Sequence, residues 1–181
     1  MRRLQGGEDL ALNDLMGRWR SPLIAFVLRY LGSQHEAIDL AQETFVRVYE
    51  HRHAFKAQAK FSSWLFSIAA NLCRNQLRWR ARHPTISLEA EEEEEGGGRQ
   101  LEEPSPSPAE NAVDRETAEA VKREIQLLPH DLRVAVILSV YDERSHEEIG
   151  EVLGCSAKAV ESRLYRAREA LRKALKGIGE P

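Results

Sequence analysis

The stretch SHEEIGEVLGCSAKAVESRLYRAREALRKALK, residues 145–176, decides the fold. Ser145 followed by Glu148 is a capping box, in which each side chain takes up a backbone N–H that the first helical turn leaves free. The helix it opens is short and stops at Gly154, because glycine enters the left-handed conformation of a helix end without a Cβ penalty. Ser156 opens a second helix, and Gly177 and Gly179 end it. Ile149, Val152 and Leu153 pack the first helix. Val160, Leu164, Ala167, Leu171 and Leu175 recur at steps of four, three, four and four, the buried stripe of an amphipathic helix. A short capped helix, a tight turn and a longer helix make a helix-turn-helix pattern. The stripe leaves Lys158, Glu161, Ser162, Tyr165 and Arg166 facing outward, flanked by Arg163, Arg168 and Arg172. In such motifs this half of the second helix enters a DNA major groove. The competing reading is a solvated helix laced by pairs such as Glu161–Tyr165 and Glu169–Lys173.

Upstream of this unit, DRETAEAVKREIQLL (114–128) reads as a helix closed by Pro129, and residues 131–141 as another. Upstream again, HPTISLEAEEEEEGGGRQLEEPSPSPAEN joins five consecutive glutamates to three glycines and spaced prolines. Like charges repel, glycine raises the entropy of the unfolded chain, and proline stops helices, so residues 84–113 are expected to form a flexible acidic linker.

The N-terminal part is helical as well, with no sustained period-two alternation. A first helix is expected over 8–20, with Ser21-Pro22 as punctuation, and a second up to Gly32. Ser33 and Glu36 form a further capping box. The helix behind it has Ile38, Ala41, Phe45 and Val48 as its buried stripe, and Asp39, Gln42, Glu43, Arg47 and Glu50 on the other side. Carboxylates on that side make it poor for DNA and leave solvent or a protein partner. The segment HRHAFKAQAK is polar and aperiodic, hence a loop. FSSWLFSIAANLCRNQLRWRAR then reads as a long helix with Leu65, Ile68, Ala69, Leu72 and Leu77 inward. Here Phe61, Trp64, Phe66 and Trp79 are interleaved with Lys56, Lys60, Arg74, Arg78, Arg80 and Arg82. Aromatic rings stack on any base and cations track a backbone, which suits single-stranded nucleic acid. Phe66 reads better as core; Phe61 and Trp64 fit either role.

Charge supports two contact zones for a polyanion. The net charge of −3 hides 13 basic and 7 acidic residues in 1–83, 1 and 9 in 84–113, and 7 and 2 in 156–176. No apolar run approaches the roughly 18–20 residues that span a bilayer, and MRRLQGGEDL has no apolar stretch of a signal peptide; a soluble intracellular protein is expected. Cys73 and Cys155 make no disulfide framework, and His51, His53 and Cys73 have no metal-ligand spacing. No nucleophile elbow, P-loop, H-E-x-x-H or dinucleotide turn occurs, so neither enzymatic activity nor a cofactor is expected.

Taken together, AIDLAQETFVRVYE, KFSSWLFSIAANLCRNQLR and LPHDLRVAVILSVYDERSHEEIGEVLGCSAKAVESRLYRAREALRKAL resemble regions 2 and 4 of bacterial RNA polymerase sigma factors of the sigma-70 family, specifically the short extracytoplasmic-function (ECF) group. The resemblance implies an all-α fold of two small domains: a region 2 helical bundle over 8–83, and over 114–178 a region 4 helix-turn-helix of the winged-helix-like DNA-binding class. It implies core RNA polymerase as partner, bound through the β′ clamp helices and the β subunit, with Asp39, Gln42, Glu43 and Arg47 docking on the clamp helices. It implies capture of a flipped base of the promoter −10 element by loop 51–61 and the start of the long helix, and a hold on the opened strand. Lys56, Lys60, Phe61, Trp64, Asn71, Arg74, Asn75 and Arg78 would make these contacts. Lys158, Glu161, Ser162, Arg163, Tyr165, Arg166 and Arg168 would contact the −35 duplex. The domains called 1.1 and 3 in larger sigma factors are absent from the pattern, and the subset without them is often held inactive by an anti-sigma partner. Two departures stand out: the family usually has Lys or Arg at the position of Glu161, and HRHAFKAQAKF matches the −10 loop only in general character. A stand-alone helix-turn-helix regulator is the alternative, needing only residues 114–176.

Overall fold

The computed structural model describes residues 1–83 and 108–176, without the side chains of 108–116. Among them every regular element is a helix: α1 (Arg2–Gln5), α2 (Ala11–Leu31), α3 (Gln34–Glu50), a single 3-10 turn (Arg52–Ala54), α4 (Phe61–Arg82), α5 (Pro108–Leu127), α6 (His130–Val140), α7 (His146–Leu153) and α8 (Ala157–Ala174). The all-α expectation holds. The acidic run of the expected linker lies outside the described residues, but its last six positions, 108–113, already belong to α5. Proline suits a first helical turn, where its missing N–H costs nothing, so Pro108 starts a helix that composition alone assigns to the linker.

The expected break at Ser21-Pro22 is absent. Pro22 lies inside α2, which runs unbroken for 21 residues. A proline inside a helix costs about 3 kcal/mol. Leu23, Phe26, Val27 and Tyr30 behind it are buried, and Leu12, Leu15 and Trp19 ahead of it pack on the same core. Burial of those side chains, at roughly 1.5–3 kcal/mol each, outweighs the proline.

In α3 the stripe is Ala37, Ala41, Thr44, Phe45 and Val48, with Ile38 half-buried at its edge. In α4, Leu65, Phe66, Ala69, Ala70 and Cys73 are buried, while Ile68, Leu72 and Leu77 are half-buried. The N-terminal bundle is α2 packed on α3 and α4; the C-terminal one is α6 packed on α7 and α8, with α5 against α6 and α8. The two bundles also pack on each other, α4 against α7 and α2 against α5 and α6.

Both caps of the helix-turn-helix form as the sequence demands. The Ser145 side chain accepts from the Glu148 N–H at 3.3 Å, and the Glu148 carboxylate accepts from the Ser145 N–H at 3.1 Å. Ser156 accepts from the Ala159 N–H at 3.2 Å. Gly154 ends α7 with φ of 64°, a left-handed conformation that glycine enters freely. Gly150 has a different role, which its place mid-helix conceals. A Cβ there would lie 2.6 Å from the Cys155 carbonyl oxygen, so the turn closes directly over it.

Candidate nucleic-acid interface

The stripe Val160, Leu164 and Ala167 is buried, and this orients the rest of α8. Lys158, Glu161, Ser162, Tyr165, Arg166 and Arg168 are exposed together. Ser162 donates to the Lys158 carbonyl at 3.2 Å, leaving its outer lone pair free. Tyr165 is 65% exposed. Among the described residues Glu161 has no ion-pair partner; the carboxylate further along, Glu169, pairs with Arg172 at 2.7 Å.

Arg163 departs from this face. Its guanidinium pairs with Asp131 on α6 at 2.8 Å and also touches the Cys155 sulfur, and its side chain is only 18% exposed. It ties the recognition helix to α6 and the turn, where the periodicity alone left it beside the phosphate-facing residues.

A second site gathers at the start of α4. Phe61 and Trp64 are half-buried and edge-packed at 6.3 Å, and Phe55 closes the cluster at 6.2 Å and 5.2 Å from them. Trp19 joins Phe61 to the core ring Phe66, with centroids at 6.2 Å and 6.3 Å. Phe66 is buried, which settles its role as core. Phe55 and Trp19 were not legible as partners; the one signal was a lone aromatic in a polar loop. α1 holds that loop from outside: the Gln5 amide donates to the carbonyls of Arg52 and Phe55 at 2.8 Å and 2.9 Å. Arg52 in turn lies over the Tyr49 ring at 4.3 Å.

Lys60, Trp64, Asn71, Arg74, Asn75 and Arg78 fall along one side of α4 by helical spacing. Asn71, Asn75 and Arg78 are exposed, and Arg74 is half-buried, donating to the Asn71 side chain at 2.8 Å. Lys56 is exposed in the loop. Lys60 pairs with Glu148 of α7 at 3.1 Å.

On α3, Asp39, Gln42 and Arg47 are exposed and Glu43 is half-buried, with Arg47 donating to Glu43 at 2.7 Å. Val46 lies among them, 49% exposed. The sequence stripe did not single it out, and a single exposed apolar side chain is ordinary surface.

Both cysteines are free. Cys73 is buried and its thiol is pushed well above the usual range by desolvation, so it stays protonated. No cluster able to hold a metal occurs among the described residues, and no described helix is long and apolar enough to cross a membrane.

A helical bundle with an aromatic and cationic edge, followed by a capped helix-turn-helix, matches known families over both halves. Sigma-70 region 2 matches residues 15–83, and Sigma-70, region 4 matches 118–171. The chain belongs to the sigma-70 family and is an RNA polymerase sigma factor of the ECF group. The RNA polymerase sigma-H factor of Pseudomonas aeruginosa is 36% identical over 178 residues, covering 97% of this chain and 92% of the relative. The ECF RNA polymerase sigma factor SigW of Bacillus subtilis is 33% identical over 181 residues, covering 98% and 96%. The ECF RNA polymerase sigma-E factor of Escherichia coli K12 is 36% identical, covering 93% and 88%. Relatives that run the length of the chain favour the sigma factor over a stand-alone helix-turn-helix regulator. Two solved structures share the fold. RpoE of Bartonella quintana, in complex with the anti-sigma factor NepR, has a TM-score of 0.66 at 23% identity, covering 93% of this chain and 98% of that one. CnrH, in complex with the cytosolic domain of CnrY, has a TM-score of 0.69 at 24% identity, covering 97% and 94%.

Proposed function

We propose that this sigma factor acts in the cytoplasm as a non-enzymatic initiation factor that reads a −35 duplex with α8 and a melted −10 strand with the start of α4. The observation that carries the reading is the pairing, in one chain, of an exposed polar and cationic recognition face with a separate aromatic and cationic edge. The first suits base edges and phosphates of a duplex. The second suits unstacked bases, each worth roughly 1–3 kcal/mol on an aromatic side chain, similar to the cost of unstacking it.

Lys158, Glu161, Ser162, Tyr165, Arg166 and Arg168 are assigned to the −35 element, with Arg163 positioning the helix. Lys56, Lys60, Phe61, Trp64, Asn71, Arg74, Asn75 and Arg78 are assigned to the −10 element. Asp39, Gln42, Glu43 and Arg47 are assigned to the polymerase β′ clamp helices, with Val46 as the apolar centre of that face, and the β subunit is a further contact. Control by an anti-sigma factor belongs to the same reading. Run-off transcription with purified core polymerase tests it. A promoter-specific transcript that needs this protein is expected, and Val46→Asp is expected to abolish both the transcript and co-elution with core. Absence of any core complex on gel filtration refutes the reading.

A further inference from the structure

The loop between α3 and α4 is held by α1. Its regular part is the single 3-10 turn Arg52–Ala54, and Phe55 follows in extended conformation with φ of −68° and ψ of 123°. Loop carbonyls need a donor, which in an exposed segment is usually water. Here a side chain supplies two of them. The Gln5 amide donates to the Arg52 carbonyl at 2.8 Å and to the Phe55 carbonyl at 2.9 Å, across 47 and 50 positions of sequence. A primary amide carries two hydrogens on one planar nitrogen. It therefore fixes the spacing of these two carbonyls, one at each end of the turn.

α1 is itself anchored. Leu4 is fully buried in the hydrophobic core, and Arg3 pairs with Glu8 and, at 2.9 Å, with Asp14 of α2. Just behind α1, Asp9 accepts from the Tyr49 hydroxyl at 3.1 Å. The Tyr49 carbonyl accepts from Arg52 at 2.8 Å, so residues 3–9 grip the loop at its base as well as at its turn. What the loop carries is the ring of Phe55, 5.2 Å from Trp64 and 6.2 Å from Phe61. The backbone of Phe55 is tied to α1 and its ring rests on α4.

We propose that Gln5 is a positioning residue for capture of the −10 base: its amide sets where Phe55 stands against Phe61 and Trp64. The inference rests on the sigma reading above. Stacking alone accepts every base, so discrimination has to come from the fixed shape of the seat that the three rings form. Small displacements of a positioned group weaken a site far more than they weaken the fold. Gln5 touches the loop backbone and acts on the base only through Phe55.

The test uses the full chain with purified core polymerase. Gln5→Glu keeps the shape of the side chain and loses both amide hydrogens, so its carboxylate faces two carbonyls. Gln5→Met has similar length with neither donor nor charge, and it decides the question if circular dichroism shows Gln5→Glu to be unfolded. Phe55→Leu removes the ring that Gln5 places. Heparin-resistant open complexes are recovered from a promoter pool randomised over the −35 and −10 regions, and the bound DNA is sequenced. Abortive initiation on a recovered promoter then separates the half-saturating concentration from the rate at saturation. In all three variants the enrichment of the preferred base at one or two −10 positions is expected to fall about threefold or more, with −35 enrichment unchanged within about twofold. The rate at saturation is expected to fall about threefold or more, and the half-saturating concentration to stay within about twofold. A brace that serves stability alone would lower the melting temperature and the yield from every promoter alike. Wild-type −10 enrichment in the folded Gln5 variants, with promoters recovered by the unaltered chain, therefore overturns the role of Gln5 and leaves the sigma reading standing. An unaltered chain that forms no core complex and recovers no promoter sinks the sigma reading, and this inference with it.

Discussion

Arg133 reaches the Tyr30 carbonyl at 3.1 Å across 103 positions of sequence. A cation at a helix C-terminus is favourable because the unpaired carbonyls there carry partial negative charge. The arginine that completes α2 is thus supplied by α6. Burial lowers the pKa of Arg133, and the guanidinium is held by carbonyl oxygens and an aromatic face rather than by a carboxylate. Removing the N-terminal bundle takes one carbonyl from that charge, and removing the C-terminal one leaves the Tyr30 carbonyl without its donor, so the stability of each half depends on the other.

Acid weakens the folded chain through His130. Burial, first, and the nearby Arg74, Arg133 and Arg78 cations hold its pKa below the usual 6.5, against Asp131, which raises it. The partner on α2 is the Tyr30 hydroxyl, itself pushed up to about 12 by burial and therefore protonated at neutral pH. With the folded pKa depressed, the unfolded chain takes the proton first as pH falls. The contribution of His130 is complete above about pH 6.5 and is lost as pH drops through the lowered value. The melting temperature should fall between about pH 7 and about pH 5, more steeply than in His130→Gln. Parallel pH profiles for the two proteins would remove His130 from the explanation.

Gly150 sets the angle between α7 and α8. Alanine is the better helix former by about 1 kcal/mol, which favours Gly150→Ala on propensity alone. Its Cβ would meet the Cys155 carbonyl at 2.6 Å, and that atom is backbone. Overpacking of this kind costs about 1–3 kcal/mol, so the variant is expected to be less stable in urea and weaker on −35 duplex. Gly154→Ala meets no atom within 4 Å and should lose stability only through its positive φ, by about 1–2 kcal/mol. A neutral Gly150→Ala would mean that the turn gives way freely.

The helix-turn-helix was legible because its signals are local. Ser145 with Glu148, Gly154 and Ser156 fix both caps within a dozen residues, and the Val160, Leu164, Ala167 stripe fixes which side of α8 is core. The misses have a common cause. Pro22 stays helical because buried side chains on both sides of it share one core. Phe55 acquires its place from α4 and from Gln5, and Arg163 turns inward because Asp131, 32 positions earlier, lies beside it. Closure at Tyr30 depends on residues 100 and 103 positions away. A pattern of period 3.6 tells which side of a helix is buried; it carries no information on which distant element does the burying.

Arg163 and Arg166 should separate cleanly under mutation. Arg163 is paired inward with Asp131 and largely covered, whereas Arg166 is exposed and, among the described residues, bonds the Ser162 carbonyl at 3.4 Å. Arg163→Ala is expected to cost about 1–2 kcal/mol of stability in urea, discounted because Asp131 is itself half-exposed. Arg166→Ala should leave stability within about 0.5 kcal/mol and reduce the slope of log affinity against log salt by about 1. If Arg163→Ala alone lowers the salt slope, the inward pairing gives way when DNA binds.

Glu161 is the acidic residue on the exposed face of α8, and its place has a clear consequence. A carboxylate beside DNA repels phosphates, so its place on the recognition face needs a compensating contact. The face is exposed, Ser162 and Tyr165 flank it, and no cation among the described residues pairs with Glu161. An ionised glutamate accepts a hydrogen bond from the cytosine amino group in the major groove, and bases without that donor leave it unpaired. Discrimination of about 1–3 kcal/mol at one −35 position follows. Glu161→Lys should move the preference at that position from cytosine toward guanine, whose O6 and N7 accept from lysine, while raising affinity for all duplexes through the added charge. Anisotropy titrations over a set of single-base −35 variants separate the two effects. A uniform rise with no change in rank order would show that Glu161 only tempers non-specific binding and reads no base.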